Sequence, residues 1–374
     1  MEGPRGLRPD ELSSLRELTG RVFRPSLVDE YPQLFHEGNF ENLRVCVDEG
    51  RCVSHVGMTT RRASFFGCSV QVGCIGAVAT HPDYRGQGLA SRCFDDAAKK
   101  AFTDGTDLLL VSGDRALYRR AGCLRAPCGE NFTLTAEAAR ALLPGALVTV
   151  ETMTDADLPL VRACYQNEPV RFLRPAEDYD RAIGCGVVMN RPSDFLVVRG
   201  ENGDLRAYLI VGQRDGKGRA RIAEFAGDRH ALLAALPTVL RHCNASALGW
   251  QVPGHDVLFR ALCVGAGLTG GPAAFPGTIK LIHFAQLMER LRPRWEELLG
   301  TNRAACLSFR QQNDTFAIRF GDDELAADRD TMTRLLLGAP DSEQQGKIER
   351  DRKLTQILEV ILPLPCLWYG LNYA

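Results

Sequence analysis

A chain of 374 residues is longer than one hydrophobic core usually organises, so its length allows two or three domains. Its 45% hydrophobic and 24% charged residues are ordinary for a folded protein. The 45 basic and 46 acidic side chains nearly cancel, which excludes the broad basic footprint of a nucleic-acid binder and makes any anion site local.

The opening Met1–Ser14 carries Pro4, Asp10 and Glu11 and lacks the apolar core of an export signal. Ile357–Tyr373 is apolar, but Glu359, Pro363 and Pro365 interrupt it and it is too short to span a bilayer. Thirteen cysteines, an odd number without a Cys-x-x-Cys pair, argue against a disulfide framework or a metal site. They read as small core residues in a reducing cytoplasm, with a catalytic thiol at Cys123 or Cys128 as the alternative.

In chain order, Leu12, Leu15, Leu18 and Val22 give Leu7–Phe23 the spacing of an amphipathic helix. Leu43–Val47 and Arg51–Thr60 are expected strands around the turn Asp48-Glu49-Gly50. Gln71–Thr80 reads as a central strand, Leu89–Phe102 as a helix and Asp107–Val111 as a buried strand. A short helix follows around Leu117–Arg120. Pro127–Pro144, with a short helical pattern at Ala136–Leu143, is expected to connect to a second domain. There Arg219–Ala226, Arg229–His242, Ala247–Val252 and Asp256–Val264 repeat the order strand, helix, strand, helix. In a third segment, Ile279–Leu299 and Arg329–Leu337 have helical patterns, and Ala304–Arg310 with Thr315–Arg319 suggests a hairpin. Gln344–Arg352 is strongly charged and expected to be exposed.

The segment Gly76 to Ala90 carries the chemistry. It puts the glycine-bearing turn Arg85-Gly86-Gln87-Gly88 directly before a helix, where exposed backbone N–H groups and the helix dipole suit a phosphate. A nucleotide P-loop would need Gly-Lys-Ser/Thr, and Leu89-Ala90-Ser91 follows Gly88 instead. A dinucleotide turn would need a third Gly or Ala at position 91 and an acidic residue ending the next strand, and neither is present.

The segment resembles motif A of the GNAT N-acetyltransferases, Arg/Gln-x-x-Gly-x-Gly/Ala, met by Arg85, Gly88 and Ala90 after Val78-Ala79-Thr80-His81-Pro82-Asp83-Tyr84. The resemblance implies that Arg85, Gly86, Gln87, Gly88, Leu89 and Ala90 cradle the pyrophosphate of acetyl-CoA. It further implies that Val78, Ala79 and Thr80 bind the pantetheine arm, and that the Val78 backbone N–H polarises the thioester carbonyl. The family's later Tyr…Gly-Phe motif is matched by Tyr118 and Gly122 with Cys123 in place of Phe, making Tyr118 the donor to the departing thiolate. Arg115, Arg119 and Arg120 nearby could favour anionic groups.

Along nearly the whole chain, the order of domains resembles the Eis (enhanced intracellular survival) acetyltransferases. The expected fold is therefore α/β (α+β), with tandem GNAT domains at 1–132 and 145–276, the second degenerate, and a sterol-carrier-protein-like domain at 277–374. The resemblance implies a homo-oligomer, a hexamer, acting on a small polyamine-like or aminoglycoside acceptor or a lysine. It also implies that the terminal carboxylate of Ala374 helps deprotonate the acceptor. An α-carboxyl titrates near about 3.5, so burial would have to raise it for that task. A coenzyme-A-binding regulatory or scaffold protein without turnover is the alternative.

Overall fold

A computed structural model describes residues 1–142, 147–338 and 352–373. Its strands, in chain order, are Glu2–Gly6 (β1), Leu43–Asp48 (β2), Arg51–Phe65 (β3), Cys68–Thr80 (β4), Leu108–Val111 (β5), Pro127–Thr135 (β6), Thr149–Thr152 (β7), Val170–Phe172 (β8) and Val187–Val188 (β9). They continue with Arg191–Arg199 (β10), Leu205–Gly212 (β11), Arg219–Gly227 (β12), Ala247–Pro253 (β13), Gly271–Ala274 (β14), Thr278–Leu281 (β15), Leu307–Gln312 (β16), Thr315–Phe320 (β17) and Asp323–Asp328 (β18).

The first sheet runs β1-β2-β3-β4-β5-β15 with β8 on β3, and the second runs β14-β6-β13-β12-β11-β10-β7 with β9 on β10. Each sheet has one parallel pair, β4 with β5 and β12 with β13, and a helix links the two strands of each pair. In the first unit this helix is Leu89–Thr103, and it buries Leu89, Cys93, Phe94, Ala97 and Ala101. Its counterpart Arg229–His242 buries Leu232, Ala235, Leu236, Val239 and Leu240. The repeat expected from the sequence is thus a tandem of two related sheets.

Two expectations fail locally, for a common reason. Pro127–Thr135 was expected within a connection, yet it is β6 and pairs residue for residue with β13 of the second sheet, Phe132 against Trp250. Ile279 was expected to start a helix, yet β15 pairs antiparallel with β5 of the first sheet. In each, short alternation (Phe132 and Leu134; Ile279 and Leu281) buries one face against a sheet distant in sequence. The cuts at 132 and 277 therefore do not follow the sheets. Two separate helices, Phe284–Arg290 and Arg292–Leu299, follow β15.

The third sheet, β16-β17-β18, and its helices share a core with the first unit, in which Leu108 and Leu110 meet Phe284, Met332, Ile357 and Tyr369. Buried Asp107 at the start of β5 pins this contact. It accepts from the Gln71 N–H at 2.7 Å and from Gln286 Nε2 at 2.9 Å, and pairs with Arg290 at 3.2 Å. The charged run at 344–352 lies outside the described residues, apart from Arg352 at the start of the helix Arg352–Ile361. No helix among the described residues is long and apolar enough to cross a membrane.

Candidate active site

The site lies where β4 and β5 part. Their parallel register runs from Val72 opposite Leu108 to Ile75 opposite Val111, and β4 then continues to Thr80 with no β5 residue opposite it. On its other side the β3 register jumps from Gly57 opposite Gly76 to His55 opposite Ala79, so Ala77 and Val78 form a bulge without Cα partners. Ala77 has φ 51°, a left-handed conformation that costs an ordinary residue about 1–2 kcal/mol. Its carbonyl is held by His55 Nδ1 at 2.8 Å, which requires that nitrogen to carry the proton. His55 is fully buried, and burial pushes its pKa down to about 4, so the ring stays neutral at physiological pH.

The bulge opens onto a cavity of about 320 Å³, lined among others by Tyr31, Val78, Ser112, Tyr118, Asn190 and Tyr373. Tyr118 projects from the short helix Ala116–Arg120 and packs on Phe94 at 5.8 Å between ring centroids. Burial pushes its phenol up to about 12, against the pull of Arg115, so it keeps its proton as a donor must. Arg115 and Arg24 also line the cavity, and among the described residues no lining side chain is acidic. Arg24 is paired with Glu30. Arg119 instead faces Asp114, at 3.7 Å.

Beyond Thr80, a single turn at Pro82–Tyr84 leads into the exposed loop Arg85-Gly86-Gln87-Gly88. Gly86 has φ 80° and Gly88 has φ 73°, and a Cβ added at either would meet nothing, so backbone conformation is what requires glycine here. Gly88 is the N-cap of Leu89–Thr103 and supplies no capping side chain, leaving the helix N-terminus uncovered. Arg85 makes no ion pair among the described residues. The loop and the bulge thus lie at two ends of one strand segment.

Tyr373 reaches this cavity from the far end of the chain. Its hydroxyl accepts from Asn190 Nδ2 at 3.0 Å, and its carbonyl accepts from Gln33 Nε2 at 3.0 Å. Asn190 also accepts from the Tyr31 hydroxyl at 2.6 Å. Ala374 lies outside the described residues. Sequence reasoning missed Gln33, Tyr31 and Asn190, which no local pattern joins; the left-handed φ of 66° at Asn190 is a feature of the fold alone. It also left Cys123 open as a nucleophile. Burial raises that thiol to about 12, the wrong direction for a thiolate.

Residues 4–126 match the family described as acetyltransferase (GNAT) domain. No curated protein matches the sequence. Among solved structures, the chain is similar to a protein from Enterococcus faecalis V583 described as a probable N-acyltransferase, with TM-score 0.68, 15% identity, and 96% of each chain covered. It is similar also to a GCN5-related N-acetyltransferase from Anabaena variabilis ATCC 29413, with TM-score 0.64, 13% identity and 96% of each chain covered. Eis1 from Mycobacterium abscessus gives TM-score 0.60 at 12% identity, again over 96% of each chain. These likenesses establish a shared fold along nearly the full length. With the loop, the bulge and the family match in one segment, residues 4–126 form an acetyltransferase domain of the GNAT family.

Proposed function

We propose that the chain is an acetyl-CoA-dependent N-acetyltransferase of the Eis-like type, passing acetyl directly to a primary amine. The observation that carries this reading is the meeting of Val78, Tyr118 and Tyr373 in one cavity, at the open end of the strand that leads to the uncapped glycine loop. The loop from Arg85 to Ala90 fits a pyrophosphate, because Gly86 and Gly88 leave space at the backbone and no side chain competes for the helix N-terminus. The free edge Val78-Ala79-Thr80 would bond the pantetheine amides. The Val78 N–H would polarise the thioester carbonyl, and Tyr118 would give its proton to the departing thiolate. No covalent enzyme intermediate is required, since alignment of amine and thioester supplies much of the acceleration.

The carboxylate of Ala374, one residue beyond Tyr373, is the candidate base. The acceptor is a small amine of the polyamine, aminoglycoside or lysine kind. The sterol-carrier-like character of the third domain, the oligomer and the cytoplasmic setting rest on the resemblance to the Eis proteins.

The test is acetyl transfer to a panel of amines read by product mass, with the parent compared to Tyr118→Phe and to a chain lacking Ala374. Product from the parent, with a large loss in Tyr118→Phe, supports the reading. Acetyl-CoA binding without product from any amine would favour the alternative, a coenzyme-A-binding regulatory protein.

A further inference from the structure

The second sheet opens in the same way as the first. The parallel register of β12 and β13 ends at Arg221 opposite Gly249, after which β12 continues to Gly227. In the first sheet such an opening leads to the catalytic cavity. Here it holds the chain's own C-terminal segment, leaving a cavity of only about 50 Å³ that Trp368 helps to line. Trp368 Nε1 donates to the carbonyl of Ala223 on β12 at 2.5 Å, and the Leu371 N–H donates to Glu224 Oε2 at 3.0 Å. A Cβ at Gly370 would collide with the same carboxylate.

Glu224 is held in turn by Arg174, through bonds of 2.8 and 2.6 Å, and by the Tyr208 hydroxyl at 2.6 Å. Arg174 Nε also donates to Asn372 Oδ1 at 2.5 Å. The side chains of Arg174 and Glu224 are 1% and 4% exposed, so the pair is sealed beneath the tail. Burial works against the Arg174 charge, and Glu224 more than offsets it, holding the guanidinium well above its ordinary pKa. Asn372, on this clamp, directly precedes Tyr373, which lines the cavity of the first unit.

We infer that the second domain is a docking clamp for the C-terminal tail. Its strand opening binds Trp368 to Asn372, and Glu224 with Arg174 are positioning residues that hold Tyr373 in the catalytic cavity. The consequence for catalysis rests on the transferase reading above.

The test combines Glu224→Gln with deletion of Tyr373 and Ala374 in the full chain. The pair Arg174→Gln/Glu224→Gln serves as a second variant that leaves no stranded buried charge. The clamp predicts that either glutamine variant loses about tenfold or more in kcat, with the KM for acetyl-CoA unchanged, as for a misplaced group remote from the cofactor. It also predicts that adding either glutamine variant to the deletion costs nothing further, because both lesions act through one tail. Carboxypeptidase should release the terminal residues of the glutamine variants sooner than those of the parent, read by mass. Losses that multiply, or a tail as protected in both variants as in the parent, would overturn the clamp. Should the parent be inactive toward every amine, the protease arm alone decides: earlier release supports docking, and unchanged protection refutes it.

Discussion

The two parallel strand openings differ most in what meets the helix that follows. In the first, Gly88 brings no side chain to the N-terminus of Leu89–Thr103, and the neighbouring cavity is about 320 Å³. In the second, Asp228 caps Arg229–His242 by accepting from the His230 and Ala231 N–H groups at 2.8 and 3.2 Å. Glu168 accepts from the Gly227 N–H at 3.1 Å and pairs with Arg229, which also meets Asp256. Carboxylates thus occupy the donors that a phosphate would use, and Trp368 covers the opening beside them. The same topology leaves the backbone donors free at the first opening, the proposed cofactor site, and satisfies them from the chain itself at the second.

The largest effect expected from breaking this contrast falls on Tyr118. Tyr118→Phe removes the proposed proton donor and should lower kcat about 10²- to 10⁴-fold with acetyl-CoA affinity retained, measured by steady-state kinetics and calorimetry. Because burial holds the phenol near 12, the parent should show no descending limb in its rate profile from this group below about pH 10.

His55 comes next. Its folded pKa of about 4 lies below its ordinary 6.5, so between these values the unfolded chain binds the proton first. The stability tied to neutral His55 is complete above pH 6.5 and is lost as pH falls toward 4, by about 3 kcal/mol. His255, pushed to about 4 by burial in the second unit, adds to the same limb. Denaturant melts across pH 4–7 should show the loss, and His55→Gln should shrink it.

Gly88→Asp would give the first helix the carboxylate cap of the second. At φ 73° the substitution adds strain to charge repulsion, and acetyl-CoA affinity should fall about 30- to 100-fold. The smallest change is Asp228→Ala, which should cost about 1 kcal/mol of stability through loss of a cap and leave acetyl-CoA affinity unaltered.

The sequence made the first opening legible because its determinants are local. Glycines that need φ near 75°, a helix with apolar residues at Leu89, Cys93, Phe94, Ala97 and Ala101, and an aromatic at 118 all lie between positions 86 and 118, and the structure assembles them in that order. The repeated strand and helix order in the second unit was visible for the same reason. The exchange of β6 and β15 between sheets was not, because a strand of four or nine residues carries no mark of the sheet it will join. Nor was the seating of the tail, where Arg174 meets Asn372 from 198 residues away and Gln33 meets Tyr373 from 340. The Ala77 bulge lies between these cases: the strand was evident, whereas its left-handed residue and the His55 bond that steadies it depend on the facing strand.

The most direct test of the central contrast is the stoichiometry of acetyl-CoA binding to the full-length chain by calorimetric titration. One site per chain is expected, weakened in Gly88→Asp and undisturbed in Asp228→Ala. Two sites per chain, or one that survives Gly88→Asp and disappears in Asp228→Ala, would contradict the assignment of the first opening as the cofactor site and the second as a joint.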